Sequence, residues 1–195
     1  MKKYIELNFL FLTFIVLQLL SCTGTNYKRL SLEDPNALIA IEDSLLSIDK
    51  NNQSINEAIV IANNKVAKNY LNSNELSLAA KHFEKSISIN EENKDSQYGL
   101  MIAEGRLLIK KGNKNGIWDA IEKLSKASSI YPKQGEPFYW IAVSYTKLGD
   151  TEFDLILESY EKSLSLELDE NIKLEVEENY KKAKNRKNKL DSFWK

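Results

Sequence analysis

From Asp34 onward the apolar residues recur in steps of three and four, broken by short polar runs, the pattern of amphipathic α-helices. NALIAIEDSLLSID, opened by Asp34-Pro35, puts Leu38, Ile41, Leu45 and Ile48 on one face. Asp is a good N-cap and Pro suits the first helical position. KNNQ interrupts the pattern, and Ser54 and Glu57 then have capping-box spacing ahead of AIVIA. A second helix is predicted from there to about Leu71, with Ile59, Val66 and Tyr70 near one stripe. After NSNE comes LSLAAKHFEKSISI, with Ala79, Ala80, Phe83 and Ile87 on one face. Two helices joined by a few polar residues make an antiparallel hairpin.

The two-part unit recurs. SQYGLMIAEGRLLIKK, the turn GNKNG and IWDAIEKLSKASSI form a second pair that stops at Pro132. Pro137 opens FYWIAVSYTKL, Gly149-Asp150 make a turn, and LILESYEKSLSL completes a third pair. A last, highly charged helix is predicted over Ile172 to Lys189, and no segment reads as a strand. Three nearly identical heptads, FEKSISI, LSKASSI and YEKSLSL, start at Phe83, Leu124 and Tyr160. Their spacing falls in the range of stacked helical repeats.

These residues resemble the tetratricopeptide repeat family, from about Val60 to Asp169. Phe138, Ile141, Ala142 and Tyr145 carry its first-helix pattern, Lys147 to Asp150 its turn, and Tyr160, Ser163 and Leu164 its second helix. Val66, Ala67, Tyr70, Ala79, Phe83 and Ser86 correspond in the first unit, and Ala120, Leu124, Ala127 and Pro132 in the second. The resemblance implies an all-α fold, a right-handed superhelical stack of antiparallel helix pairs. The units would be 60–93, 94–134 and 135–169, flanked by helices within 34–59 and 170–195 that cover the ends. The second unit exceeds the usual length of about 34 residues by about seven, placed around Lys110 to Gly116. Asn74 stands where glycine is usual, and Ile156 where alanine is. By the family's pattern Asn64, Lys68 and Asn72 of unit one and Tyr139, Val143 and Lys147 of unit three would line a groove for a partner protein or peptide. Asn64 and Lys68 stand in the reverse order to the family's carboxylate clamp, so that specificity is not implied.

The N-terminus differs in kind. Lys2 and Lys3 precede LNFLFLTFIVLQLL, which is short for a membrane span and has the size of a signal-peptide core. Leu19, Ser21 and Cys22 follow the bacterial lipoprotein pattern, though Leu20 is larger than usual there. That resemblance implies a signal peptide over 1–21, a palmitate-type acylated Cys22 as first mature residue, and a tether over 22–33. A plain signal peptide, or an uncleaved anchor with an incidental cysteine, would show the same apolar run. Acyl chains contribute about 0.8 kcal/mol per buried methylene, so two or more hold a protein on a membrane. Thr23, where aspartate commonly signals inner-membrane retention, leans the address to the outer membrane, facing the periplasm of the bacterial cell envelope.

Composition narrows the chemistry. One cysteine and one histidine leave no internal disulfide and no histidine cluster for a metal, and nothing implies a cofactor. A net charge of -1 advertises no nucleic acid. No GxSxG elbow or phosphate-cradling loop appears, and the carboxylates are scattered, so no enzyme is expected. His82 reads as a surface residue, and Lys85, Lys126 and Lys162 as an exposed face, with Glu122 and Glu158 four residues ahead of two of them. KKAKNRKNK, Lys181 to Lys189, reads as a solvated helix or as a contact for acidic lipids or polymers. Trp118 and Phe193-Trp194 are read as packing residues rather than partner contacts. The sequence therefore points to a membrane-anchored adaptor for another envelope protein. The alternative is a structural component acting through its basic C-terminal helix.

Overall fold

In a computed structural model the described residues are 26–149 and 152–193. The signal segment, Cys22 and Trp194 lie outside them. Among the described residues the regular structure is helical: α1 Pro35–Ala40, α2 Glu42–Ile48, α3 Gln53–Asn72, α4 Leu76–Ile89, α5 Lys94–Lys111, α6 Lys114–Ile130, α7 Glu136–Leu148, α8 Phe153–Leu164 and α9 Glu170–Phe193. Sequential helices pack on one another, and α3, α5 and α7 also touch in turn. The pairs α3/α4, α5/α6 and α7/α8 therefore stack as an all-α helical repeat, with first helices along one side.

Capping residues explain where the helices begin. Asn52, Asn93 and Asn113 accept bonds from the backbone N–H of Ile55, Ser96 and Gly116 and open α3, α5 and α6. Ser54, the expected cap of α3, lies inside the helix instead. Asp34 caps α1 through Ala37 N–H at 3.1 Å, with Pro35 at the first turn. Gly112 closes α5 at φ 74°, a left-handed conformation that glycine adopts without penalty. Asn74 takes φ 58° after α3, in the place where the repeat pattern usually has glycine.

The three heptad knobs are equivalent in burial: Phe83 and Leu124 are fully buried and Tyr160 is 3% exposed. Phe83 and Leu124 sit in one continuous core with Ile102, Ile117 and Ala120, and Tyr160 sits in a second with Tyr139, Phe153 and Val176. Three residues after two of these knobs, a buried serine returns a hydrogen bond to the first helix of its own pair. Ser86 Oγ donates to the Val60 carbonyl at 3.4 Å and Ser163 Oγ to that of Gly135 at 2.9 Å.

Several expectations are corrected. The extra residues of the second unit form no inserted loop; α5 and α6 are lengthened to 18 and 17 residues, against 13 and 12 in α7 and α8. The single helix after Asp34 breaks at Ile41, so Leu38 and Leu45 are buried while Ile41 and Ile48 are exposed. Residues 26–33, assigned to an extended tether, are helical. Their Tyr27 and Leu30 pack on the cluster of Leu38, Ile55 and Ile59, and Lys65 donates to the Leu32 carbonyl. Phe193 is 78% exposed, and Trp118 is half-exposed while its ring still packs edge-on to Tyr145 at 6.2 Å.

His82 is not a free surface residue. Asn63 donates Nδ2 to Glu42 Oε2 at 2.9 Å and to the Ile59 carbonyl at 3.1 Å. Its Oδ1 therefore faces His82 Nδ1 at 2.7 Å, which fixes Nδ1 as the protonated nitrogen. The imidazole stacks on Tyr70, and burial lowers its pKa despite nearby Glu42. Lys85 reaches Glu42 and Asp43 at 3.4 and 3.7 Å, so this knob-adjacent lysine fastens α2 to α4. Lys126 pairs with Glu122, as the helical spacing anticipates, whereas Lys162 stands over the Phe138 ring.

Candidate functional site

A groove of about 960 Å³ runs along the first helices of the three pairs and ends against α9. Its floor is opened by Gly99, which leaves room for the Phe83 ring beneath it. Its middle is built by α5 and α7. Arg106 lays its guanidinium over the Trp140 indole, 4.4 Å from the ring centroid. Trp140 in turn donates Nε1–H to Glu136 Oε1 at 3.1 Å. One guanidinium NH₂ of Arg106 donates to Asn74 Oδ1 at 3.2 Å, so the residue in the left-handed turn orients the arginine. Tyr98 meets Tyr131 edge-on at 5.3 Å, and Tyr131 donates its hydroxyl to Asp95 at 2.7 Å.

Two polar atoms of this wall are left without a partner among the described residues. The Tyr98 hydroxyl and Arg106 Nε are shielded from solvent and make no hydrogen bond. A buried unpaired donor costs about 1–3 kcal/mol, so the wall carries a local energetic penalty at both. Burial raises the Tyr98 pKa, reinforced by Glu136, and lowers that of Arg106, where Glu136 works the other way. Burial also raises the Glu136 pKa, more than the Trp140 N–H and the Arg106 charge lower it. The bond to Asp95 pushes Tyr131 up to about 12.

The six residues anticipated for the groove divide. Lys68 and Asn72 line it and are exposed. Asn64 is buried and works as a strut: its Nδ2 donates to Asn93 Oδ1 at 3.1 Å, and Ser96 Oγ lies 2.8 Å from its Oδ1. Tyr139 is 1% exposed, held from the far side by Asn179 Nδ2 at 3.1 Å. Val143 is half-buried between two cores, and Lys147 is exposed beyond the groove lining. The residues that the family pattern did not supply are Tyr98, Arg106, Glu136 and Trp140. A detectable signal was the aromatic and charged residues written into otherwise apolar first-helix faces, one position along from Tyr139 in the case of Trp140.

The architecture and the groove together define a helical-repeat stack that fits a tetratricopeptide-type fold. No protein-family model matches this chain, and no curated protein does. Among solved structures, one similar chain is the crystal structure of MamA, 20% identical, with a TM-score of 0.45 over 87% of this chain and 97% of that one. The repeat architecture stands on the pairing of this chain's own helices.

Proposed function

We propose that this chain is a non-catalytic interaction scaffold that holds a segment of a partner protein in the groove, tethered to a bacterial envelope membrane through acylated Cys22. The observation that supports it best is a groove that spans the first helices of all three pairs and is lined by mixed polar and aromatic side chains, Lys68, Asn72, Arg106 and Trp140 among them. An extended peptide offers main-chain donors and acceptors at regular intervals to such a lining. The outer membrane, facing the periplasm, remains the proposed address, from the residues around Cys22. No helix among the described residues is long and apolar enough to cross a membrane.

The basic C-terminal helix is the weaker site. Lys187 is drawn to Asp154 at 2.5 Å, Lys182 to Glu178 at 2.6 Å, and Lys184 lies over Tyr180, so part of its charge serves the fold. Crosslinking in the native cells, with wild-type, Arg106→Ala and a chain truncated after Tyr180, separates the readings. Loss of captured protein with Arg106→Ala alone supports the groove, and loss with the truncation alone refutes it. Cys22→Ala is expected to move the chain from membrane to soluble fraction. Retention on salt-washed membranes would defeat the lipid-anchor reading.

A further inference from the structure

Charge along the groove is segregated by helix. Lys68, Asn72 and Asn74 belong to the α3 end and Arg106 to the middle. Beyond Arg106 the polar lining turns acidic, with Glu136 from α7 and Asp169 and Glu175 at the start of α9; Asp95 adds a fourth carboxylate from the first turn of α5. Some acids elsewhere pair with lysines, Glu104 with Lys123 at 2.7 Å, Glu122 with Lys126 at 2.5 Å and Asp154 with Lys187 at 2.5 Å, and others accept from neutral groups, as Glu161 does from the Tyr180 hydroxyl. Among the described residues none of the four groove acids is held in a lysine pair of this kind. Asp95 takes the Tyr131 hydroxyl, Glu136 the Trp140 N–H and Asp169 the backbone N–H of Asn171, all neutral donors. Arg106, stacked on Trp140, is a cation whose charge acts on Glu136 and Glu175. Carboxylates gathered on low-dielectric walls focus a negative potential into the space between them. That potential selects against acidic guests and draws basic ones.

Resting on the groove as the binding face, we infer that its occupant is an extended peptide carrying a lysine or arginine side chain, which enters the carboxylate cluster formed by Glu136, Asp169 and Glu175. The main chain of the same peptide lies across the middle of the groove, past Arg106 and Trp140. The two recognition elements are separable. The middle takes any backbone, and the α9 end reads side-chain charge. The capping helix thus supplies specificity as well as closing the stack.

The test uses the purified full-length chain in detergent micelles and a random dodecapeptide library displayed on phage. The expected result is enrichment of sequences with lysine or arginine at one fixed position. Replacing that residue by glutamine in the best peptide then weakens binding at least ten-fold in fluorescence anisotropy. Glu175→Gln, at an exposed site, is expected to shrink that lysine-to-glutamine ratio to below three-fold, and raised salt to shrink it likewise. Asp169→Asn, whose side-chain oxygen can still accept from Asn171 N–H, serves as a second variant should Glu175→Gln perturb α9. Enriched peptides of neutral or acidic character whose binding falls with Arg106→Gln would overturn the basic-guest inference and leave the groove reading standing. A basic preference insensitive to the Glu175 and Asp169 variants would overturn the inference by placing the charge recognition elsewhere. No enrichment at all would overturn both.

Discussion

Replacing Gly99 by alanine should destabilise this protein, against the helix propensity of the two residues. In a helix interior alanine is favoured over glycine by about 1 kcal/mol. At Gly99 the new methyl carbon would lie 2.2 Å from Cζ of Phe83, 2.4 Å from Cε1 and 2.6 Å from Cε2. Carbon atoms rest at about 3.5–4.0 Å, so the ring must retreat by more than about 1 Å. Phe83 is fully buried among the core side chains, so its ring can retreat only by displacing neighbours. Overpacking costs about 1–3 kcal/mol, and an overlap this deep belongs at the upper end; after the propensity gain the net loss is about 2 kcal/mol. For a chain of this size that lowers Tm by about 4–8 °C. The measurement is urea unfolding followed by circular dichroism at 222 nm, on wild type, Gly99→Ala, Phe83→Leu and the double variant. Phe83→Leu trims the clashing ring edge, so the double variant should be more stable than the sum of the single losses allows, by about 1–3 kcal/mol. A Gly99→Ala midpoint at or above wild type, or strict additivity in the cycle, would refute the packing of α4 on α5 described above.

Glu136→Gln should stabilise the chain, and more so at high pH. The folded carboxyl has a raised pKa because of its burial, so ionising it in the native state is disfavoured. A native pKa above the unfolded one gives a contribution fully present below the unfolded value and lost as pH rises through the folded value. Glutamine keeps an oxygen for Trp140 N–H and has no charge to bury, so the gain over wild type should be larger at pH 8 than at pH 4; a pH-independent gain would contradict it. Gly112→Ala and Gly135→Ala should both destabilise, for different reasons. At Gly112 nothing lies near the new methyl and only the φ of 74° resists it, about 1–2 kcal/mol that Gly112→Asn should largely recover. At Gly135 the methyl would meet the Ser163 carbonyl oxygen at 2.4 Å, a backbone atom that cannot swing aside, so asparagine should fare no better there than alanine. Urea midpoints of the four variants check both.

The repeat was legible because its information is local and periodic. Phe83, Leu124 and Tyr160 announce equivalent buried positions, and the turns between helices carry Asn, Gly and Pro for stereochemical reasons visible in one dimension. Less legible was anything set by a choice between equivalent signals. Ser54–Glu57 and Asn52 both spell a helix start, and the carboxamide at Asn52 won because its Oδ1 reaches the Ile55 N–H at 3.2 Å. Seven extra residues near Lys110 spell a loop or two longer helices equally well; Asn113 capping Gly116 N–H at 2.7 Å decides for helix. His82 reads as a surface residue, because its partner Asn63 is 19 residues away in the chain and on another helix.

The groove was half legible, and Tyr139 shows why. Helical periodicity locates a face, but it cannot say what covers that face. On α3 the face carrying Lys68 and Asn72 meets the groove. On α7 the equivalent face carrying Tyr139 meets α9, whose Val176 and Asn179 bury it, and the groove passes to Trp140 on the adjoining stripe. This assignment makes α9 a structural member of the third unit and gives a direct test. Ending the chain after Asp169 would uncover Tyr139, Ile156 and Tyr160, which are 1%, 2% and 3% exposed in the intact protein. Each such side chain contributes about 1.5–3 kcal/mol when fully buried, so even partial exposure of three removes several kcal/mol. A lower urea midpoint, new binding of a hydrophobic dye and concentration-dependent association are expected together, because an uncapped repeat presents its apolar flank to solvent. A truncated chain that stays monomeric, dye-silent and as stable as the parent would mean that α9 merely lies against the stack. Trp140 would then owe its place in the groove to something other than the helix that displaces Tyr139 from it.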